Sequence, residues 1–279
     1  MILPKDFDFT QGNLQDYVDC PYRFYLRYVL RISWPALVVD KALDFEQRGQ
    51  AGGRFHRMVQ QYLLGVPEAR ISELEEEDPL PDVREWWAGF LTHVPPWLTG
   101  QRWVETTLTA GLAGQRVVAK YDLILADEKG HLTIFDWKTS HNVPRKAGLL
   151  TRIQTRLYRV VLTQASPAFF DGQLCPPEKV AMNYWFATHP QTLVTLPYSQ
   201  PEYARDLEDL TALIEKICAS EPADFVRTDQ VDHCRYCVYR SHCDRGVEAG
   251  DLEAFDFLDL TPEDVETRID FEDLPEIEF

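Results

Sequence analysis

The sequence lacks several features that would assign it to a class at once. It contains no G-x-x-x-x-G-K-S/T phosphate-binding loop, no apolar run long enough to span a membrane and no evident internal repeat. Its first residues, MILPKD, are not a hydrophobic signal segment. We therefore expect a protein of the reducing cytoplasm with no membrane partner, and any helicase motor that works with it must be a separate protein.

Cysteine is scarce, with 6 residues in a chain of 279. In a reducing compartment, clustered cysteines bind metal more often than they form disulfides. Cys234, Cys237 and Cys243 can supply three thiolates to one centre, and a fourth ligand must come from elsewhere. Both Zn²⁺ and a 4Fe–4S cluster satisfy this count, and His233 and His242 leave a Cys3His zinc set open.

Basic residues are also scarce: 28 Lys and Arg stand against 45 Asp and Glu, for a net charge of −17. Residues 251–279 hold 12 acids and one base, so they carry −11 and leave −6 for the rest. We predict one domain over residues 1–250 followed by an acidic tail over 251–279. A solvated terminus is the simpler interpretation of the tail. The alternative is a segment that docks on a partner or covers a basic DNA-binding track.

The hydrophobic pattern alternates between helical and strand-like segments. It predicts helices at 14–29, around His56, at 148–162 and at 202–219, and strands between 103 and 137, at 180–186 and at 193–196. Strands interleaved with helices indicate an α/β fold with a mixed β-sheet flanked by helices.

The most informative segment is a predicted β-hairpin in the middle of the chain. A three-residue loop at 128–130, ending in a glycine of left-handed conformation, is a common hairpin solution. That loop pairs Asp127 with His131. Counting back along both strands then places Asp122 opposite Asp136 on one face. A two-residue loop would break this alignment.

Lys138 joins the two aspartates, because strand residues two apart share a face, while Trp137 between them points to the other side. Such a charged cluster on an apolar strand pair is costly unless a cation or a substrate uses it. Two carboxylates can hold Mg²⁺ or Mn²⁺, and a fixed ammonium can stabilise charge that builds up on a phosphate. The hairpin thus indicates a metal-dependent phosphodiesterase. The alternative is an exposed hairpin with surface charges.

Two further candidates have weaker local signals. Glu105 lies in an earlier apolar run, and an even-length loop after that run would place it on the same face as Asp122. It could equally be an exposed strand residue. His56 lies beside the apolar face of a predicted helix, where a lone histidine is more often structural than a ligand.

A third group of candidates follows the hairpin on a predicted helix. Gln154 and Tyr158 are four residues apart and therefore share a helix face. Arg152, Arg156 and Arg159 lie on the same helix, and Arg145 and Lys146 precede it, so residues 143–160 are basic without any acid. We interpret this basic run as a track for phosphates, and the alternative is a solvated helix surface.

These motifs occur together in an order that resembles a known family. The chain contains Gly-Gly-x-x-His ending at His56, then Asp122, Asp-Trp-Lys ending at Lys138, and Gln-x-x-x-Tyr beginning at Gln154. This order and spacing resemble the RecB-like branch of the PD-(D/E)XK nucleases. Cys20-Pro21 and the late cysteine group are similar to the iron–sulfur form of that branch, found in CRISPR-adaptation exonucleases and in helicase–nuclease complexes. The resemblance covers most of residues 10–245.

The resemblance implies a restriction-endonuclease-like fold and a role for each matched residue. It makes Lys138 the catalytic lysine, Gln154 and Tyr158 residues that order the site, and Cys20, Cys234, Cys237 and Cys243 the ligands of a 4Fe–4S cluster that staples the terminal segments together. The metal ligands implied are His56, Asp122, Asp136 and the carbonyl of Trp137. Lys120 is a departure, because the family often has glycine there, which puts close backbone approach of a substrate in doubt.

The function expected from residues and resemblance together is a Mg²⁺- or Mn²⁺-dependent DNA nuclease. We expect an exonuclease on single strands or DNA ends, working in CRISPR adaptation or in DNA repair and recombination beside a separate helicase or integrase. The alternative is a non-catalytic DNA-binding or scaffold subunit of a helicase–nuclease complex.

Overall fold

The computed structural model describes residues 2–32, 42–77, 81–140, 142–234 and 237–245. The predicted acidic tail, 251–279, lies outside the described residues. None of the helices in the described ranges is both long and apolar enough to cross a membrane.

A five-stranded mixed sheet forms the centre of the fold. Its strands are β1 Gln101–Leu112, β2 Gln115–Ala126, β3 Leu132–Lys138, β4 Val180–Phe186 and β5 Leu193–Pro197. They lie in the order β1-β2-β3-β4-β5, and only the β3–β4 pair is parallel. The expected α/β fold with a mixed sheet and flanking helices is therefore confirmed.

Eight α-helices surround this sheet in the described part of the chain. They are α1 Gln11–Asp19, α2 Pro21–Phe24, α3 Ala42–Leu63, α4 Glu68–Glu77, α5 Pro81–His93, α6 Lys146–Thr151, α7 Ile153–Ala165 and α8 Gln200–Ala219. Helices α6 and α7 lie in the connection between the parallel strands β3 and β4, since such strands need a crossover.

Two predicted helices are each interrupted by an extended residue. The helix expected over 14–29 breaks at Cys20 (φ −160°, ψ 103°), and Pro21 then starts α2 in the first turn, where an amide hydrogen has no partner within the helix. The helix expected over 148–162 breaks at Arg152 (φ −65°, ψ 141°), so α7 begins at Ile153. This second break makes Gln154 a residue of the first turn of α7.

Each face of the sheet buries its own hydrophobic core. The first core contains residues of α1, α7 and α8, such as Leu14, Leu157 and Ile214. The second contains aromatic residues of α3, α5 and the sheet, namely Phe55, Trp86, Trp87, Phe90, Phe135, Trp137 and Trp185. Strands β3 and β4 are covered on both faces, which explains their almost continuous apolar sequences.

The turns on either side of β2 determine the register of the sheet. Ala113 and Gly114 form a two-residue turn with φ of 51° and 70°, the conformation that suits a tight hairpin. The next loop has the predicted three residues, with Gly130 at φ 75° and the Asp127 amide donating to the His131 carbonyl (3.1 Å). The predicted hairpin register is confirmed, because the ladder pairs Leu123 with Phe135 as its last pair. Continued by one residue, this register brings Asp122 level with Asp136.

A buried ion-pair network joins α7 to α8. The guanidinium of Arg159, 2% exposed, lies 3.2 Å from Asp206, and the guanidinium of Arg156 lies 2.8 Å from the same carboxylate. Tyr198 also donates to Asp206 (3.0 Å), and Arg156 pairs with Asp209 as well. The interpretation of Arg156 and Arg159 as a phosphate track is therefore wrong, because acids of α8 neutralise both.

We predict that Asp206→Ala lowers the free energy of unfolding by about 3–5 kcal/mol, because it leaves a buried guanidinium without its counter-charge. Asp209→Ala is the matched control, since that carboxylate is 53% exposed, and we expect it to cost less than about 1 kcal/mol. Urea denaturation of both variants measures the difference. Equal losses would contradict a special role for the buried pair.

Candidate active site and metal centre

Asp136, Lys138 and Gln154 form a closed hydrogen-bonded group at the end of β3. The Gln154 amide nitrogen donates to Asp136 Oδ1 (2.8 Å), and Lys138 Nζ donates to the Gln154 amide oxygen (3.0 Å). Lys138 Nζ also lies 2.9 Å from Asp136 Oδ2. All three side chains are buried, so the first turn of α7 holds the strand residues in one arrangement.

Asp122 links this group to the helix α3. Its Oδ2 accepts a hydrogen bond from the Trp137 backbone amide (2.8 Å), at the point where the ladder between β2 and β3 ends. Its Oδ1 lies 3.5 Å from His56 Nδ1, which is too long for a well-formed hydrogen bond. The carboxylate is thus fixed on one side by the strand and faces the imidazole on the other.

Glu105 lies opposite Asp122 on β1, as an even-length turn requires. It is one of the few non-glycine residues with a positive φ (48°). The alternation of buried side chains slips at this level: Tyr121 packs in the first core but Leu123 in the second. Such a local disruption of a strand pair re-aims side chains next to functional sites. Here it lets Glu105 reach the group formed by Asp122 and His56.

The pKa values of Asp122 and His56 are set by their mutual attraction. Burial raises the pKa of Asp122, but the His56 ring and the Trp137 amide oppose this effect and the pKa is lowered overall. Burial lowers the pKa of His56, but the carboxylates of Asp122 and Asp136 outweigh it, so the pKa of His56 is raised. The local field therefore favours positive charge beside Asp122.

The other two carboxyl groups, those of Glu105 and Asp136, have raised pKa values. Burial and the negative charge of Asp122 raise the pKa of Glu105 to about 7, although Lys120, 3.5 Å away, opposes the shift. Burial raises the pKa of Asp136 to about 6, with Lys138 opposing it and Asp122 adding to it. Three carboxyl groups in one buried region thus lack enough positive charge from the protein.

The donor set fits a hard divalent cation. One donor atom each of His56, Glu105 and Asp122 lies within 4.8 Å of the others, the one such trio among the described residues. Two buried atoms, His56 Nδ1 and Asp136 Oδ2, have no aligned hydrogen bond to any described residue. Carboxylate oxygens and imidazole nitrogen suit Mg²⁺ or Mn²⁺. The donor atoms are thus of the right kind and close enough together to hold such a cation.

Gly52 brings α3 against the end of β3 and so positions His56 one turn later. A Cβ atom on Gly52 would lie 3.1 Å from the Thr139 hydroxyl, a distance tighter than ordinary contact. A Cβ atom on the neighbouring Gly53 would meet nothing within 4 Å. The first glycine of the Gly-Gly-x-x-His motif is therefore the one that close packing requires.

Two tyrosines lie beneath the site, and only one of them, Tyr158, was predicted from the sequence. The ring of Tyr158 packs on Tyr121 (4.9 Å between centroids), and the Tyr121 hydroxyl donates to the Tyr158 carbonyl (2.8 Å). Tyr158 thus supports β2 next to Asp122 and lies outside the trio of donor atoms. Sequence reasoning missed Tyr184, whose ring lies under the Lys138 ammonium. The one signal for Tyr184 is its pairing with Asp136 between the parallel strands β3 and β4, which the sequence does not show.

The structure brings the four predicted cysteine ligands together in a separate place. Cys20, Cys234, Cys237 and Cys243 line one pocket between the N-terminal and C-terminal segments. Burial raises the pKa of the Cys237 thiol, and the charges of Cys20 and Cys234 add to this effect. Arginines also line the pocket, and Arg245 donates to Cys234 Sγ (3.1 Å).

Aromatic packing joins the two segments around this pocket. The ring of Phe225 lies 5.1 Å from Tyr25, 6.1 Å from Phe24 and 6.0 Å from Tyr17. The Tyr239 hydroxyl donates to the Ile32 carbonyl (2.9 Å). The terminal segments are thus held together by the protein's own contacts.

Comparison with known proteins identifies one family. The model of the PD-(D/E)XK nuclease superfamily matches residues 8–244. No curated protein matches the sequence. Among solved structures, a protein named "Putative exonuclease" from Eubacterium rectale has 10% identity and a TM-score of 0.48, covering 82% of this chain and 88% of its own. The structure of SSO0001 has 15% identity and a TM-score of 0.34, covering 68% and 93%.

We predict that the two adjacent glycines respond differently to alanine. Gly53→Ala should stabilise the protein by up to ~1 kcal/mol, because it removes a helix-interior glycine at an open position. Gly52→Ala gains the same helix propensity but must displace Thr139 or α3, so we expect a smaller gain and several-fold weaker Mn²⁺ binding. Thermal unfolding and Mn²⁺ titration calorimetry measure both effects. Unchanged Mn²⁺ affinity in Gly52→Ala would show that this contact does not position His56.

Proposed function

Because the chain belongs to the PD-(D/E)XK nuclease superfamily, we propose that it is a divalent-metal-dependent DNA nuclease of the RecB-like branch. One observation carries the proposal: a trio of possible metal ligands, His56, Glu105 and Asp122, lies at the same end of the sheet as the buried ion pair of Asp136 and Lys138. We propose further that it acts as an exonuclease on single-stranded DNA or on DNA ends.

The metal would be held by donors from four elements. We assign Asp122 and Asp136 as the main ligands, His56 and Glu105 as the ligands on the side of α3 and β1, and the Trp137 carbonyl as a further oxygen. A divalent cation bound there would lower the pKa of a water molecule and polarise a phosphate oxygen. The raised pKa values of Glu105 and Asp136 support this assignment, because a cation would offset both causes of the shifts, burial and the negative charge of Asp122.

The protein's own residues would orient and stabilise the reacting groups. Lys138 carries the one ammonium among the described residues that is buried beside Asp136, and a fixed cation there stabilises negative charge on the phosphate during hydrolysis. Gln154 holds that ammonium and the Asp136 carboxylate at once, so neither has to reorganise. Such preorganisation is a large part of what a phosphodiesterase site must supply.

The DNA backbone would reach this site past the start of α6. Arg145 and Lys146 are exposed there, whereas Arg156 and Arg159 are engaged with Asp206. The basic surface is therefore smaller than the sequence indicated, and phosphate contacts alone give no sequence preference. We propose a nuclease that recognises strand form rather than base sequence.

The cysteine pocket supports a second proposal, that Cys20, Cys234, Cys237 and Cys243 hold a 4Fe–4S cluster. Four thiolates are the ligand set that such a cluster takes. The arginines that line the pocket, Arg23, Arg227, Arg240 and Arg245, would offset its negative charge.

Zinc with a histidine ligand receives less support from the same pocket. His233 lines it, but one ring nitrogen lies 2.6 Å from the Gln230 side chain and the other 3.6 Å from Asp19. His242 is not among the lining residues.

For the biological setting we propose processing of DNA ends in CRISPR adaptation or in repair, beside a separate helicase or integrase.

We predict that the purified protein cleaves end-labelled DNA with Mg²⁺ or Mn²⁺ and is inactive with EDTA. Asp136→Asn and Lys138→Gln should each lower the rate at least ~100-fold, the scale of removing one electrostatic element from such a site. Lys129→Gln, an exposed lysine of the same hairpin, should leave the rate unchanged.

The choice of substrate separates the possible outcomes. An exonuclease should degrade linear single strands and spare closed single-stranded circles, whereas an endonuclease would cut both. DNA binding without any metal-dependent cleavage would instead identify a non-catalytic DNA-binding or scaffold subunit. Equal activity of wild type and Asp136→Asn would overturn the assignment of the site.

We predict that anaerobically purified protein contains iron and acid-labile sulfide and absorbs in the visible range through charge transfer from thiolate to iron. Cys20→Ser and Cys237→Ser should lose that absorption. Cys218→Ser, which lies on α8, should keep it. A colourless protein that contains zinc and no iron would contradict the 4Fe–4S proposal. The four cysteines would then be assigned as zinc ligands.

A further inference from the structure

We propose that Tyr184 is a positioning residue for Lys138, holding the ammonium group through its ring and the first turn of α7 through its hydroxyl. The inference rests on the proposed function, because it concerns the residue assigned there as the catalytic lysine. Tyr184 belongs to none of the motifs found in the sequence.

The ring of Tyr184 lies directly beside the charged group. In the parallel ladder Tyr184 pairs with Asp136, so its side chain is on the same face as Asp136 and Lys138. Lys138 Nζ lies 5.8 Å from the ring centroid, within the range of a cation–π contact. Tyr184 is 0% exposed. Because water is excluded, the attraction between ring and ammonium is stronger than it would be at a surface.

The hydroxyl of Tyr184 has a defined direction of donation. Thr155 Oγ1 lies 2.6 Å from the Leu149 carbonyl oxygen, which can only accept, so the threonine proton is used there. The 2.8 Å contact between Tyr184 and Thr155 therefore requires the tyrosine to donate. The chain runs from Tyr184 through Thr155 to the end of α6. It connects β4 to both helices of the crossover.

The ring contact and the hydroxyl hydrogen bond of Tyr184 both act on the group formed by Lys138, Asp136 and Gln154. Thr155 follows Gln154, whose amide binds both Lys138 and Asp136. Tyr184 thus restrains the ammonium directly with its ring and indirectly by fixing the helix turn that carries Gln154. A lysine has a long flexible stem. These restraints keep its charge at a single place beside Asp136.

The competing explanation is that Tyr184 merely fills the core. Phe186 offers a matched control, because it lies two residues along the same strand and face, is also 0% exposed, and has its ring 6.4 Å from that of Tyr184. Phe186 is the ladder partner of Lys138 through the backbone, but among the described residues the ring contact of the ammonium is with Tyr184. Replacing either aromatic residue by leucine removes similar core volume, but only one replacement removes the contact with Lys138.

The first test compares steady-state cleavage of single-stranded DNA by four variants. We expect Tyr184→Leu to lower kcat about tenfold, with KM and Mn²⁺ affinity within about twofold of wild type. Tyr184→Phe keeps the ring and removes only the bond to Thr155, and Thr155→Val removes that bond together with the bond to the Leu149 carbonyl. Because the ring stays in place in both variants, both should stay within about threefold. Phe186→Leu should lose thermal stability comparable to that lost by Tyr184→Leu but keep its kcat.

The second test asks whether the effect passes through Lys138. Single-turnover rates with excess enzyme are measured for Tyr184→Leu in the wild-type and in the Lys138→Gln background. Loss of the effect in the Lys138→Gln background supports the inference, because a residue acting through Lys138 has nothing left to position. A loss of similar size in both backgrounds would reduce Tyr184 to a structural residue.

A third measurement does not depend on cleavage. The ring current of Tyr184 should shift the ε-methylene NMR signal of Lys138, assigned by comparison with Lys138→Arg, and Tyr184→Leu should remove this shift while Phe186→Leu keeps it. If wild type cleaves DNA and the two leucine variants behave alike, the inference fails. If wild type does not cleave DNA with any divalent ion, the proposed function fails, and the NMR comparison still decides whether Tyr184 contacts Lys138.

Discussion

The placing of three carboxyl groups in one partly buried region is the constraint on which the rest of the site depends. Glu105, Asp122 and Asp136 come from three adjacent strands; the first two are half-buried and Asp136 is buried. The protein supplies His56 and Lys138 as compensating positive groups, yet the pKa of Glu105 is still raised to about 7 and that of Asp136 to about 6. A buried arrangement of this kind costs stability in the free protein. The site is therefore built for a charge that the protein itself does not provide.

Much of this arrangement was predictable because it follows from local turn chemistry. Once the loop ending at Gly130 has three residues and the turn at Ala113 and Gly114 has two, the period of the strands places Glu105 and Asp136 on either side of Asp122. No long-range packing information is needed for that step. The role of Gly52 was visible only as part of a motif, since the contact with Thr139 depends on how α3 meets the sheet.

The parts that could not be predicted depend on partners distant in the sequence. Arg159 is neutralised by a carboxylate 47 residues away, so no window around the helix could show that it is unavailable to DNA. Tyr184 lies in a strand that is apolar almost throughout, where periodicity does not separate a residue that contacts a charge from one that fills space. The break at Arg152 was missed because neither glycine nor proline marks it. It matters, since it places Gln154 in the first turn of α7.

The cysteine pocket and the candidate active site are both connected to the first core, whereas only the candidate active site is connected to the second. Tyr17, Phe24 and Phe225, which pack beside the cysteine pocket, belong to the same core as Leu157 of the helix that carries Gln154. Phe55, next to His56, belongs to the opposite core. The aromatic residues at the pocket and the helix that carries Gln154 are thus parts of one core. Because Phe225 already joins the terminal segments, a cluster there would tighten an existing contact rather than create the fold.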